Sequence, residues 1–212
     1  MTFVHVPSPE ERLSSFVATV SFKDLPKPAV EAVRRAFIDT VAVTLAGAID
    51  DAGRKAYRKS GIAPEEANLE RLLGRAPTEN PSVAALRFGT ASHSLDYDDL
   101  SWAMDGHPSV TLVPPLLALS DEANATGREM MTAYAAGFEV ESALASPVSP
   151  EHYEAGWHAT ATFGTFGAAA ASARLLDLTR AQTRRALNIA ASTPAGTKRN
   201  FGTMTKPLHA GL

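Results

Sequence analysis

Apolar residues recur at helical spacing along almost the whole chain, and this periodicity constrains the fold more than any other feature. The clearest case is Pro28–Ile49, where Val30, Val33, Phe37 and Val41 fall on one face. No stretch of useful length alternates apolar and polar residues as a half-buried strand does. The sequence therefore predicts an all-α fold of about seven or eight helices.

Residues that favour helix N-termini mark where several helices begin. Ser8 with Glu11, Thr126 with Glu129, and Thr179 with Gln182 have the spacing of capping boxes, and Asn80 precedes Pro81. The irregular stretch 61–81 predicts a loop with a short strand or helix inside. The predicted helices span residues 8–19, 28–49, 50–59, 81–93, 108–123, 126–144, 158–176 and 179–191.

Composition limits the classes of function. The chain has 212 residues, 45% of them hydrophobic, which is enough for one large domain or two small ones. The net charge of -3 gives no basic footprint for nucleic acid, so an anionic ligand would need a local cluster of cations. Because cysteine is absent, disulfide scaffolds, zinc–thiolate sites and cysteine nucleophiles are excluded.

The sequence shows no targeting or membrane segment. Its start, MTFVHVPSPEERLSS, lacks the charged and then apolar pattern of a signal peptide. The longest weakly polar run, Ala159–Ala173, is closed by Arg174 and is too short for a membrane span of about 20 residues. Its small residues instead predict an interior helix that other helices approach closely. We expect a cytoplasmic protein without membrane partners.

The densest polar cluster is HSLDYDD, residues 93–99, at the predicted end of an apolar helix. His93 and Asp96 share a face if the helix persists. Such a cluster could position a substrate, or simply solvate a helix end. It could also bind a metal, and His93, Asp96, Asp98 and His107 are the ligands that a metal-dependent hydrolase or lyase would use.

Two histidines are predicted at helix N-termini. Pro108 suits the first helical position and places His107 at the N-cap, and His158 precedes the small-residue helix with Trp157 beside it. Free N–H groups and the helix dipole attract an anion there and favour a neutral imidazole, which suits a general base. The alternatives are a loop histidine at 107 and, at 158, a surface cap next to a core tryptophan.

A lysine between glycines and a proline is the last candidate. The segment GTMTKPLHAG, residues 202–211, predicts a bent, non-helical stretch from which Lys206 could reach a carboxylate, or lie in a solvated loop. The sequence contains no phosphate-binding lysine loop, no Gly-x-Ser-x-Gly elbow, no His-Glu-x-x-His pair and no dinucleotide fingerprint.

Taken in order, HSLDYDD, GHPSV, GWHATATFGTFGAAAASARLL and GTMTKPLHAG resemble the MmgE/PrpD family, which includes 2-methylcitrate dehydratase, cis-aconitate decarboxylase and iminodisuccinate epimerase. The likeness extends to RRAFIDTVAVTLAGA and TGREMMTAYAAGFEVESAL. It implies a helical, homodimeric enzyme that uses no metal or organic cofactor. The implied substrates are small di- or tricarboxylates, which lose water or carbon dioxide or are epimerised after proton transfer beside a carboxylate.

The resemblance places catalytic positions at Asp96, His107 and His158, and substrate binding at Lys206. The substrate contacts that we predict in addition are Ser101, Ser109 and Trp157. The family often has a threonine where this chain has Leu100, so that a hydroxyl contact would be lost or moved to Ser101. The residues leave open which histidine is the acid and which is the base.

The resemblance also implies that residues 1–212 are an N-terminal helical domain, without the lid domain that carries further lysine and tyrosine residues in the family. We expect a homodimer, or a partner polypeptide that supplies the remaining half. The main hypothesis is thus a lyase or isomerase of this type. The alternatives are an inactive fragment that only binds or dimerises, and the metal-dependent enzyme.

Overall fold

Helices form all the regular structure in the computed structural model, which describes residues 6–76 and 78–212. Over these ranges the all-α prediction is confirmed, although the number of α-helices is eleven rather than the predicted seven or eight, and the only pairings of strand type are isolated bridges at Ser101–Gly106 and Trp157–Thr197. The first five residues and Pro77, which belong to the predicted non-signal start and the predicted loop, lie outside the described residues. The α-helices are α1 Pro9–Thr19, α2 Lys27–Gly47, α3 Asp51–Lys59, α4 Leu69–Leu73, α5 Pro81–Ser92, α6 Ser109–Leu119, α7 Gly127–Ala145, α8 Glu151–Glu154, α9 Ala159–Leu175, α10 Arg180–Ala190 and α11 Thr205–Gly211.

The predicted capping residues begin their helices as expected. The Ser8 backbone N–H donates to the Glu11 carboxylate at 3.0 Å at the start of α1. The Asn80 side-chain oxygen accepts from the Ser82 N–H at 2.8 Å at the start of α5. The capping boxes at Thr126 and Thr179 are also present. Short-range hydrogen bonds therefore fix the boundaries that the sequence predicts.

The predicted bounds of the helix after His107 are wrong. Helix α6 begins at Ser109, with Pro108 rather than His107 at its N-cap, and it ends at Leu119 instead of reaching residue 123. The Asp99 carboxylate accepts from the Ser109 backbone N–H at 3.1 Å and also from the Ser109 hydroxyl. A carboxylate ten residues away thus satisfies this helix terminus, so that a capping role for His107 is unnecessary.

The prediction of a bent, non-helical segment around Lys206 is also wrong, because this segment is helical. Helix α11 spans Thr205–Gly211, with Lys206 and Pro207 in its first turn. Proline is tolerated there because the N–H groups of a first helical turn have no partner within the helix. Lys206 therefore projects from a fixed helix start.

The predicted interior helix α9 lies against α7 at the centre of the fold. Gly137 of α7 faces the backbone carbonyl of Gly167 in α9, and Gly164 of α9 faces the side chain of Thr111 in α6. Larger residues would keep these helices apart, so the glycines set the distance between them. Leucine, alanine and tyrosine side chains from α6, α7 and α9 complete one core cluster beside this contact.

A carboxyl group is enclosed in this contact. Glu141 of α7 is fully buried, and the Thr111 hydroxyl lies 3.4 Å from its Oε2. Burial, reinforced by the charge of Asp99, raises the pKa of Glu141 well above its ordinary value. The raised pKa favours the uncharged form of Glu141, which suits a carboxyl group between helices with no cation as its partner among the described residues. None of the described helices combines the length and apolar character that crossing a membrane requires.

We expect Gly137→Ala to destabilise the fold by about 1–3 kcal/mol, because an added Cβ would lie 2.7 Å from the Gly167 carbonyl oxygen and force the helices apart. The matched control is Gly127→Ala in the same helix, where an added Cβ has no neighbour within 4 Å. Chemical denaturation monitored by circular dichroism measures both variants. Equal effects of the two substitutions would contradict the proposed role of the α7–α9 contact.

Candidate active site

Four of the predicted site residues, Asp96, His107, His158 and Lys206, line one cleft of about 390 Å³, which we call the histidine cleft. Asp96 and His107 come from the connection between α5 and α6, His158 from the start of α9, and Lys206 from the start of α11. Apolar and aromatic side chains form much of the remaining wall: Leu100, Trp102, Tyr153 and Phe201. The cleft thus combines ionisable groups with apolar and aromatic walls.

The connection between α5 and α6 is held in an unusual local conformation. Asp96 and Asp105 have φ angles of 57° and 49°, in the left-handed region that aspartate tolerates better than most residues. Asp99 ties the connection to α6 through Ser109. The backbone therefore has fixed positions from which Asp96, Asp98 and His107 extend.

Asp98 joins two histidines beneath the cleft. His93 Nδ1 lies 2.8 Å and His107 Nδ1 lies 2.9 Å from the same Asp98 oxygen, Oδ2, and the Asp98 side chain is fully buried. Burial works to raise the pKa of Asp98, but hydrogen bonding to His107 and His93, with their charges, lowers it well below its ordinary value. Asp98 is therefore a stable buried anion.

His107 holds its proton more firmly than an ordinary histidine. Burial acts to lower the pKa of His107, but the hydrogen bond and charge of Asp98, together with Asp96, raise it above the ordinary value. The Nε2 atom of His107 lies 3.6 Å from Asp96 Oδ1, at the wall of the cleft. His107 is thus suited to deliver a proton at this position.

Asp96 is also the partner of the lysine. Lys206 Nζ donates to Asp96 Oδ1 at 2.5 Å and lies 4.8 Å from the centre of the Phe201 ring. Burial acts to raise the pKa of Asp96, but the hydrogen bond and charge of Lys206 prevail and lower it. The cleft therefore places an ammonium group beside His107, where a carboxylate ligand could exchange for Asp96.

His158 has the opposite electrostatic environment from His107. Burial is the main cause that lowers the pKa of His158 to about 3, and the neighbouring imidazoles and the Lys206 ammonium group also disfavour a charge there. Its ring stacks on His93 at 5.6 Å and meets the edge of Phe201 at 5.0 Å, measured between ring centres. No carboxylate contacts it among the described residues, so the imidazole is neutral at physiological pH.

A side chain at the start of α9 joins the two histidine segments. The Thr160 hydroxyl accepts the backbone N–H of His107 at 3.0 Å, only two residues after His158. The His158 backbone N–H donates in turn to the Gly196 carbonyl at 3.1 Å. The spacing between the two imidazoles is therefore set by backbone contacts as well as by side-chain packing.

The same region holds a set of residues that could bind a metal ion. One ligand atom each from His93, Asp96, Asp98 and His107 lies within 4.8 Å of all the others. The donor types suit a divalent cation. However, Lys206 already supplies a positive charge at Asp96, the Nδ1 atom of His93 is hydrogen-bonded to Asp98, and the Nδ1 atom of His107 lies 2.9 Å from the same Asp98 oxygen. The carboxylates thus have protein cations or N–H groups as partners.

Three predicted substrate contacts do not line the cleft. Ser109 is fully buried and bonds to Asp99 and to the Tyr134 hydroxyl, the latter at 2.7 Å, so it serves the start of α6. The Ser101 hydroxyl accepts the Ala103 backbone N–H at 3.3 Å within its own turn. Neither serine therefore lines the cleft in place of the threonine that the family often has at the position of Leu100.

Trp157, the third predicted substrate contact, stacks on His152, with ring centres 6.1 Å apart. Its side chain is exposed, and its backbone pairs with Thr197. The aromatic ring against His158 is that of Phe201. The left-handed φ of 100° at Gly156 belongs to the turn just before Trp157.

Four further residues lie at or behind the cleft without a role predicted from the sequence: His209, Asn200, Tyr153 and Phe201. The sequence predicts individual roles for His93 and Asp98 only as metal ligands, within a cluster that could also position a substrate. A signal for His209 was present, because it follows Lys206 by three residues and would share a helix face with it. The prediction of a non-helical segment hid that relation.

Comparison with known proteins gives the same family as the motifs. The sequence model of the MmgE/PrpD N-terminal domain matches residues 11–212. Cis-aconitate decarboxylase of Homo sapiens is 30% identical over 189 residues, which cover 86% of this chain and 39% of the human protein. The Mus musculus enzyme of that name is 35% identical over 136 residues, 62% of this chain and 28% of the mouse protein.

A more distant relative covers more of the chain. Cis-aconitate decarboxylase of Aspergillus terreus is 23% identical over 204 residues, or 93% of this chain and 41% of the fungal protein. The chain thus spans about two-fifths of the length of the curated relatives that it matches along most of its residues. The match to the family model, over residues 11–212, includes the segments that form the histidine cleft.

We expect Asp98→Asn to lower the pKa of His107, because burial remains while the main stabilising carboxylate is lost. An NMR titration of the His107 imidazole measures this change. Asp105→Asn is the matched control, since Asp105 also lines the cleft but is not among the groups that shift His107. An unchanged His107 pKa in Asp98→Asn would contradict the assigned role of Asp98.

Proposed function

Because the chain belongs to the MmgE/PrpD family, we propose that it supplies the histidine-bearing part of the active site of a lyase for small di- or tricarboxylates. The observation that carries this proposal is the contrast between His107 and His158 in one cleft. The environment raises the pKa of His107 and lowers that of His158. Titratable groups with diverging pKa values are typical of acid–base catalysis.

The relatives named cis-aconitate decarboxylase favour loss of carbon dioxide as the reaction. In that step a carbon–carbon bond breaks, carbon dioxide leaves, and the electron pair remains on a carbon conjugated with a carboxylate. His107 then donates its proton to the carbanion and becomes neutral, and solvent reprotonates it. The neutral His158 either accepts a proton or donates a hydrogen bond to the developing negative charge.

Substrate binding is assigned to the lysine and to the start of α9. A substrate carboxylate displaces Asp96 from Lys206 in part, and the N–H groups in the first turn of α9 attract a second anionic group. Negative charge brought by the substrate raises the pKa of His158 above its value in the free cleft. Proton transfer to His158 therefore becomes easier only once the substrate is bound.

The proposed chemistry uses side chains of this chain and needs neither a metal ion nor an organic cofactor. We further propose that groups from outside these 212 residues complete the cleft, supplied by a partner polypeptide or by a second copy in a homodimer. The competing proposals are a non-catalytic binding or dimerising module, and a metal-dependent enzyme that uses the His93, Asp96, Asp98 and His107 cluster. Measurements on variants of His158 and Lys206 distinguish between these proposals.

We expect His158→Ala to lower kcat on cis-aconitate by about 10²–10⁴-fold while changing substrate binding little, because alanine can neither transfer a proton nor donate a hydrogen bond to the developing charge. Release of carbon dioxide and product NMR measure turnover. The matched control is His152→Ala, a histidine outside the cleft whose Nε2 contacts the Thr162 hydroxyl. Near-normal turnover in His158→Ala would contradict the assignment. A wild-type chain that binds carboxylates without turnover would favour the binding module.

We expect Lys206→Gln to weaken the binding of cis-aconitate by about 10–100-fold, because a charge-assisted hydrogen bond is lost. Isothermal titration calorimetry in the presence of a chelator measures the affinity. Lys59→Gln, an exposed lysine at the end of α3, removes the same charge away from the cleft and should bind normally. Binding that appears only after a divalent metal is added would favour the metal-dependent alternative.

A further inference from the structure

We propose that Asn200 and His209 are positioning residues that hold His158 with its proton on Nε2, so that the neutral imidazole offers an N–H donor to the ligand. The use of that donor in catalysis depends on the proposed function. The arrangement itself is a property of the free chain. It would make His158 a stabiliser of negative charge and leave proton delivery to His107.

A line of hydrogen-bonding groups runs behind His158, away from the rest of the catalytic cluster. The Nδ1 atom of His158 lies 3.4 Å from Nδ1 of His209 in α11. The other nitrogen of His209, Nε2, lies 3.4 Å from the side-chain nitrogen of Asn200. The three groups come from the start of α9, a 3-10 turn at Lys198–Asn200 and the last turns of α11.

The direction of the protons follows from the chemistry of these groups. The Asn200 Nδ2 atom can only donate, so His209 Nε2 must be the bare, accepting nitrogen. A neutral His209 then carries its proton on Nδ1 and donates it to His158 Nδ1. His158 accepts on Nδ1, and its own proton must lie on Nε2.

His158 lines the cleft, and its Nε2 is the nitrogen that the described residues leave without a partner. It is buried and has no hydrogen-bond partner in the described part of the chain. A buried N–H without a partner costs stability, and a ligand oxygen in the cleft would recover that cost. The pKa of His158, lowered to about 3 by burial, keeps the imidazole neutral while Nε2 carries the proton.

Gly196 fixes both histidines of this line. Its carbonyl accepts the His158 backbone N–H, and an added Cβ would lie 3.0 Å from His209 Nδ1. Its φ of 111° is also one that residues with side chains rarely adopt. The His209 ring can therefore approach His158 only because glycine occupies position 196. Phe201 packs on His158 and limits its rotation.

This arrangement sharpens the proposed reaction. A histidine whose cleft nitrogen is protonated and which stays neutral cannot remove a proton through that nitrogen. It can stabilise the carboxylate oxygens that gain charge when carbon dioxide leaves. The inference thus favours decarboxylation with proton delivery by His107 over a reaction that begins with proton removal by His158.

Long-range ¹H–¹⁵N correlation spectra of the ¹⁵N-labelled wild-type chain, at a pH where the histidines are neutral, test the inference. Protonated and bare imidazole nitrogens differ widely in ¹⁵N chemical shift, so the tautomer of each ring is read directly. We expect a protonated Nε2 and a bare Nδ1 in His158, with the reverse in His209. The opposite tautomer in His158 would overturn the proposal.

The variant Asn200→Leu adds a readout that simple packing would not change. Loss of the donor should move the nitrogen shifts of His209 and His158 towards averages of the two tautomers. Asn188→Leu, on the exposed face of α10, is the matched control, and His152 serves as an internal reference. Unchanged His158 shifts in folded Asn200→Leu would overturn the positioning role.

The wild-type spectrum decides the tautomer even if the Asn200→Leu variant does not fold. Failure here is also distinct from failure of the proposed function, because the spectra are recorded without substrate. An inactive chain with the expected tautomer would retain this inference and reject the lyase. An active chain with a bare Nε2 in His158 would support the proposed lyase and reject this inference.

Discussion

The close approach of α7 and α9 is the constraint on which the histidine cleft depends. It is possible because Gly137 faces the Gly167 carbonyl, and because Glu141 fits beside Gly167 as an uncharged acid. The position of α9 then determines where its first turn lies. That turn presents His158 to the cleft and, through the Thr160 hydroxyl, holds the backbone of His107. A packing feature with no chemistry of its own therefore sets the distance between the two imidazoles.

The charges of the cleft are balanced locally rather than by the whole chain. The net charge of -3 would repel an anionic ligand weakly, but screening limits such long-range effects to about 10 Å at 0.1 M salt. Within the cleft, Asp98 interacts with two histidines and Asp96 with Lys206. A ligand carboxylate that competes with Asp96 for Lys206 exchanges one anion for another, so binding requires little rearrangement of charge.

The parts of the fold that the sequence predicts correctly are those fixed by neighbours in the chain. Ser8, Asn80, Thr126 and Thr179 begin helices through bonds to residues two or three positions away, and the sequence shows both partners. The start of α6 was misplaced because its cap, Asp99, lies ten residues before Ser109. Helix α11 was missed because glycine and proline suggested a bend, although Pro207 in a first turn is compatible with a helix. For the site, the family resemblance predicts four of the residues that line the cleft. It does not predict His209 or Phe201, whose positions depend on packing between distant segments.

His107 and His158 show why the sequence could not assign acid and base. In the sequence both precede a helix, and the argument from helix dipoles predicts a neutral imidazole for each. In the fold, His107 lies against Asp98 and near Asp96, whereas His158 lies against other histidines and a phenylalanine. At His107 the contacts with carboxylates raise the pKa by more than burial lowers it. At His158 the neighbouring groups lower the pKa in the same direction as burial. The difference between the two imidazoles is therefore a property of tertiary contacts, and in our proposal the hydrogen-bond line through His209 to Asn200 also decides which His158 nitrogen carries the proton.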